Sequence, residues 1–113
     1  MQTPLKIIGK TYSFQVVDKV DEEDSLGECH DVLQRILVRS GQKPDQLMDT
    51  ILHEVVHAID YQMHLGMTER QVHAVAAGLT AVFLDNPKFS ELWNRSNTES
   101  SSWNLGSMTT PQS

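Results

Sequence analysis

The chain has one cysteine, Cys29, so no internal disulfide can form, and a single unpaired thiol fits a reducing compartment. Basic residues are scarce: nine Lys and Arg face fifteen Asp and Glu, leaving a formal net charge of −6. Without a basic footprint, non-specific nucleic-acid binding is excluded as an expectation. No apolar run approaches the length of a membrane span, and the first residues, Met1-Gln2-Thr3-Pro4-Leu5-Lys6, lack the apolar core of a signal peptide. The expectation is a cytoplasmic protein with no membrane partner. No internal repeat is present. Its 113 residues suffice for one domain with a modest core, and the oligomeric state is left open.

What is present is concentrated in one stretch, Leu52-His53-Glu54-Val55-Val56-His57-Ala58-Ile59-Asp60. It contains H-E-x-x-H. On a helix over 45–65, His53 and His57 are four apart and share a face, so both imidazoles can bind one metal ion. Glu54 follows the first ligand and can reach a water activated by that ion, as the general base of a zinc hydrolase does. The plain alternative is a helix with two surface histidines and a solvated Glu. It leaves the placement inside an apolar-periodic run unexplained. At about 100° per residue, Leu47, Met48, Ile51, Leu52, Val55, Val56, Ile59 and Met63 cover one broad face. His53 and His57 lie roughly 150–180° from the centre of that stripe. That edge should face an open groove or a second helix.

The rest of the chain is read around this helix. Residues 5–17, LKIIGKTYSFQVV, predict a strand or hairpin turning at Gly9-Lys10. Residues 18–25, DKVDEEDS, read as a solvated acidic loop; a calcium loop is disfavoured by its spacing. Residues 26–39 predict a second hairpin, with Asp31 to Gln34 as its turn and Ile36-Leu37-Val38 as a strand core, against a competing helix over 28–38. Cys29 and His30 form an adjacent pair able to bind metal, though a buried thiol beside a surface imidazole is the preferred reading. Pro44 suits a helix start, with Asp45 and Asp49 in the first turns, and Gly66 a plausible helix end near His64.

Thr68 should cap a second helix to Asp85 with an apolar stripe of Val72, Val75, Ala76, Leu79, Val82 and Phe83. Asn86-Pro87 should end it, with Phe89, Leu92 and Trp93 in a short amphipathic segment. Residues 94–113 are Ser, Thr and Asn rich and read as a disordered polar tail in which Trp103 is the one docking candidate, giving a domain over 1–93 and a tail over 94–113.

Catalytic zinc sites usually have three protein ligands. Candidates for the third are Asp60, His64, Glu69, His73 and Asp85. A metzincin needs His at position 63 and Gly at position 60, but Met63 and Asp60 stand there. Glu69 and His73 lie four apart on the second helix. Glu69 is nearer its packed side, about 70° from the stripe centre against about 110° for His73, and is preferred, since ligation would compensate a carboxylate held there. Asp60 could accept a hydrogen bond from a ligand imidazole or simply be solvated.

Two segments, Thr50-Ile51-Leu52-His53-Glu54-Val55-Val56-His57-Ala58-Ile59-Asp60 and Glu69-Arg70-Gln71-Val72-His73-Ala74-Val75-Ala76-Ala77-Gly78-Leu79, together with the strand-then-helix order, resemble the small zincin-like metallopeptidases of phages and mobile elements, related to the ImmA/IrrE-like group. The interval from His57 to Glu69 is shorter than is usual there. The resemblance implies a third ligand on the helix after the H-E-x-x-H helix, at Glu69. The expected fold is a minimal zincin-like α+β domain, with a small antiparallel sheet packed on the active-site helix and a second helix bearing a ligand. The strand around Ile36 to Val38 is the expected edge for an extended peptide. The expected function is hydrolysis of a peptide or protein substrate, with Zn²⁺ on His53, His57 and Glu69, Glu54 as general base, and Tyr61 or His73 as oxyanion stabiliser. The alternative is a metal-stabilised binding or inhibitory module of phage or mobile-element origin with little turnover.

Overall fold

The computed structural model describes residues 2–21 and 24–98. Four strands come first: β1 (Gln2–Ile7), β2 (Lys10–Val17), β3 (Gly27–His30) and β4 (Arg35–Arg39). Three helices follow: α1 (Pro44–Met63), α2 (Glu69–Asp85) and α3 (Glu91–Thr98). The domain is α+β, as expected. Among the described residues, no helix is long and apolar enough to cross a membrane.

Both expected hairpins form. β1 pairs antiparallel with β2, and β3 with β4. The first turn sits one residue earlier than expected, at Ile8-Gly9, where both residues have positive φ. This is the backbone a two-residue turn needs to match strand twist, and Gly9 takes it without strain. The second turn is Asp31 to Gln34, and the competing helix over 28–38 is not formed.

The sheet itself differs from expectation. Its order is β1-β2-β4-β3, and β2 pairs with β4 in parallel, so the sheet is mixed and not antiparallel. β4 is therefore central. Ile36 to Val38, expected at the edge, is the most enclosed strand segment, and β3 is the edge strand beside the helix. The physical reason is visible in the residues: three consecutive apolar side chains suit a strand covered on both faces.

One sheet face carries the core. Ile7, Tyr12, Ile36 and Val38 meet Ala58 of α1, with Leu5, Phe14, Cys29, Leu47, Ile51, Val55 and Ile59 packed around them. The stripe foreseen on α1 thus packs on the sheet through Leu47, Ile51, Val55 and Ile59, while Met63 at its far end is exposed. Side-chain amides fix α1 at both ends. Gln42 donates to the Arg39 carbonyl at 2.7 Å and accepts from the Thr50 hydroxyl at 2.7 Å. Gln62 donates to the Ile7 carbonyl at 2.8 Å. α1 ends at Met63, close to the expected end near His64, and His64 rather than Gly66 caps it in the left-handed conformation at φ 53°.

α2 opens on a capping box: the Gln71 amide donates to Thr68 Oγ1 at 3.1 Å, and the Thr68 amide donates to Gln71 Oε1 at 2.9 Å. Its buried line is narrower than the foreseen stripe. Val72, Ala76 and Thr80 are buried, whereas Val75, Leu79 and Val82 are exposed. Thr80 Oγ1 reaches Asp49 Oδ1 of α1 at 3.4 Å. The buried residues follow each other at i, i+4 and i+8, which is one narrow helix face.

Two compact units divide the chain, one through Val82 and one from Phe83. In the second, Phe89 stacks edge-on against Phe83 and Trp93. α3 continues to Thr98, so residues 94–98, expected to begin the tail, are helical. The remainder of that tail, including Trp103, lies outside the described residues.

Candidate metal centre

α1 and α2 run antiparallel, and the join between them sets the site. The Asp60 carboxylate accepts the Met67 amide at 3.1 Å, and the Asp60 carbonyl accepts from the His64 and Leu65 amides. Asp60 therefore holds the turn between the helices, a role outside the two weighed for it. With the turn fixed, the first residue of α2 comes back over the second turn from the end of α1.

The result is a convergent set of donors. Glu69 Oε2 lies 2.7 Å from His53 Nε2, and Glu69 Oε1 lies 3.1 Å from His57 Nε2. One ligand-capable atom from each residue fits within a sphere where all three lie within 4.8 Å of one another. The imidazoles are about one-fifth exposed and the carboxylate about two-thirds exposed. Two imidazoles and a carboxylate are a donor set of the kind that suits Zn²⁺, and among the described residues the set has three members. The donor chemistry and the convergence fit the ion. His73, the competing third ligand, has its ring centre 6.2 Å from that of His53, and it is absent from this set among the described residues.

Glu54 sits on the adjoining side of α1 and is nearly enclosed, with 6 % of its surface exposed. Burial first, then the negative charges of Glu69 and Glu28, push its carboxyl up to about 7. The enclosure comes from β3. A Cβ at Gly27 would lie 2.8 Å from Thr50 Cγ2 and 3.0 Å from Glu54 Oε2, so only glycine allows this strand so close to the helix. Gly27 was not foreseen, because its requirement arises only when strand and helix meet.

These residues line one open cleft of about 560 Å³ between β3 and the two helices. Tyr61 lines it too, stacked on His57 with ring centres 6.1 Å apart, and burial raises its phenol above the ordinary value. His73 is not among the lining residues. The Cys29 and His30 pair divides. Cys29 packs into the core, and burial pushes its thiol up to about 12. His30 points elsewhere, with Nε2 3.0 Å from Glu28 Oε1 and 3.6 Å from Asp21 Oδ2.

No known protein family, curated protein or solved structure matches the chain.

Proposed function

We propose that the chain is a zinc-dependent peptidase of a minimal zincin-like kind. The observation that carries this reading is the convergence of His53, His57 and Glu69 beside the enclosed carboxylate of Glu54, all opening on one cleft. Support also comes from the size of the ligand set, three among the described residues. A purely structural zinc site is closed by four protein ligands, whereas three leave room for a reacting group.

His53, His57 and Glu69 would hold the ion. When bound, zinc lowers the pKa of water and polarises a carbonyl. Glu54 takes a proton from the attacking water and returns it to the departing amine nitrogen. An enclosed carboxyl whose affinity for protons is already raised is suited to both halves of that transfer. Tyr61, which lines the cleft beside His57, would donate a hydrogen bond to the developing oxyanion. β3 is the free edge along which an extended peptide would add as a further strand.

The test compares zinc content and peptide hydrolysis in wild type and Glu54→Gln. The variant should keep its zinc and lose turnover. Chelation should abolish hydrolysis and zinc should restore it. Full hydrolysis by Glu54→Gln would overturn the mechanism, and a chain that takes up no zinc would overturn the whole reading.

A further inference from the structure

α2 carries more apolar surface than its own packing covers. Between Arg70 and Asp85 it has no Asp, Glu, Lys or Arg, yet its buried residues are only Val72, Ala76 and Thr80. Roughly 160° round the helix from the centre of that line lies a second face, built on Gly78. Ala74, Val75, Ala81 and Val82 surround Gly78, and all five are exposed. Val75 and Val82 keep 44 % and 41 % of their surfaces exposed. A helix that is apolar all round is ordinarily covered all round.

Gly78 adds a separate observation. Glycine in a helix interior costs about 1 kcal/mol relative to alanine. Packing among the described residues does not require it, because a Cβ built there meets no atom within 4 Å. A position with no side chain lets another helix approach closely, and Val75 and Val82 would fill the grooves on either side of the contact.

The charges at the two ends identify that other helix. Arg70 and Asp85 flank the face, are exposed, and have no ion-pair or side-chain hydrogen-bond partner among the described residues. Along the axis Arg70 stands about 12 Å before Gly78 and Asp85 about 10.5 Å after it, at 1.5 Å per residue. Two copies of α2 crossed antiparallel at Gly78 therefore set each Arg70 beside the Asp85 of the other copy. Ala74 and Val75 of one copy come level with Val82 and Ala81 of the other, so small residues meet larger ones. A parallel pair would oppose Arg70 to Arg70 and Asp85 to Asp85. The face is complementary to itself about a two-fold axis, in one direction only. Glu69 lies about 180° from Gly78 on the same wheel, so this pairing leaves the metal ligands uncovered.

We infer that this face of α2 is a homodimer interface: a second copy of the chain packs antiparallel against it about Gly78, with Arg70 of each copy paired to Asp85 of the other. The inference does not depend on the peptidase reading.

A single helix pair is a small interface, so the dimer should be weak and should appear as concentration rises through the micromolar range. Sedimentation velocity of the full chain across that range reads it. Gly78→Glu should leave the monomer folded, as circular dichroism would show, since its side chain meets nothing in the monomer. It should weaken dimerisation by more than about 100-fold, because like charges then face each other at the crossing. Arg70→Asp and Asp85→Arg should each weaken it by about tenfold, as two exposed pairs turn repulsive, and the two together should restore it. A chain monomeric throughout would overturn the interface and leave the face to a different protein. A dimer left intact by Gly78→Glu would overturn it by placing the contact elsewhere. Single reversals without effect, or no rescue in the combined variant, would overturn the antiparallel pairing.

Discussion

The carboxylate of Glu54 lies against the backbone of Gly27, where β3 passes over α1. A Cβ built on residue 27 would stand 3.0 Å from Glu54 Oε2 and 3.2 Å from Glu54 Cγ, and closer still to the methyl of Thr50. The missing side chain is thus what lets an edge strand close one wall around a buried carboxyl. It links a backbone requirement to the position of the carboxyl proposed as general base.

Gly27→Ala should therefore damage the site through packing. Thr50 and Glu54 would have to move, at a cost of about 1–3 kcal/mol for an overpacked contact. Thermal denaturation should show the loss of stability. Zinc affinity, carried by residues on α1 and α2 away from this contact, should change little, while turnover should fall. An alanine variant as stable and active as wild type would contradict the close approach.

Glu69 and His73 should separate by metal affinity. Among the described residues, the Glu69 carboxylate alone is within ion-pair distance of both imidazoles. Glu69→Ala should weaken zinc binding by more than about 100-fold, beyond the loss typical of groups that merely support a ligand. His73→Ala should leave affinity near the wild-type value. Competition with a fluorescent chelator measures both, and the reverse ranking would transfer the third ligand to His73.

The local part of this site was legible before the fold was known. His53 and His57 share a helix face at any tertiary arrangement, because their spacing alone decides it. Glu69 was reachable from the helical wheel. What could not be read depends on long-range placement. Ile36-Leu37-Val38 was legible as a strand but was expected at the sheet edge, because nothing local says that β2 joins it in parallel and pushes β3 to the edge. The role of Gly27 exists only where β3 touches α1. Asp21, Glu28 and His30 come together because a loop meets alternate positions of a strand, and their spacing matches no motif. On α2, the richness of apolar residues suggested a broad buried stripe, but only the line Val72, Ala76 and Thr80 is buried.

Tyr61→Phe tests the oxyanion assignment. The ring stacks on His57 and lines the cleft, so phenylalanine should preserve packing and zinc content. Loss of one donor to a developing oxyanion costs about 100-fold or more in kcat. KM should change little, because the bond strengthens as charge builds on the carbonyl oxygen. A Tyr61→Phe enzyme with undiminished kcat would remove this residue from the chemistry.

Glu54 also makes the stability of the zinc-free protein depend on pH, with a sign that distinguishes it from an ordinary paired carboxylate. Its carboxyl has an ordinary value of 4.5 and is pushed up to about 7 when folded, by burial and by Glu69 and Glu28. The folded state therefore holds this proton more tightly than the unfolded state. The contribution is complete below about 4.5 and is lost as pH rises through about 7. A shift of that size corresponds to about 3 kcal/mol across the window. Urea denaturation of zinc-free protein should show stability falling from the acid to the neutral side. Glu54→Gln has no proton to lose there, so the difference between the two proteins should turn in favour of the variant as pH rises. If wild type and Glu54→Gln kept a constant difference across that window, the enclosed carboxyl would be ionised throughout, and its readiness to carry a proton would have to come from bound zinc or substrate alone.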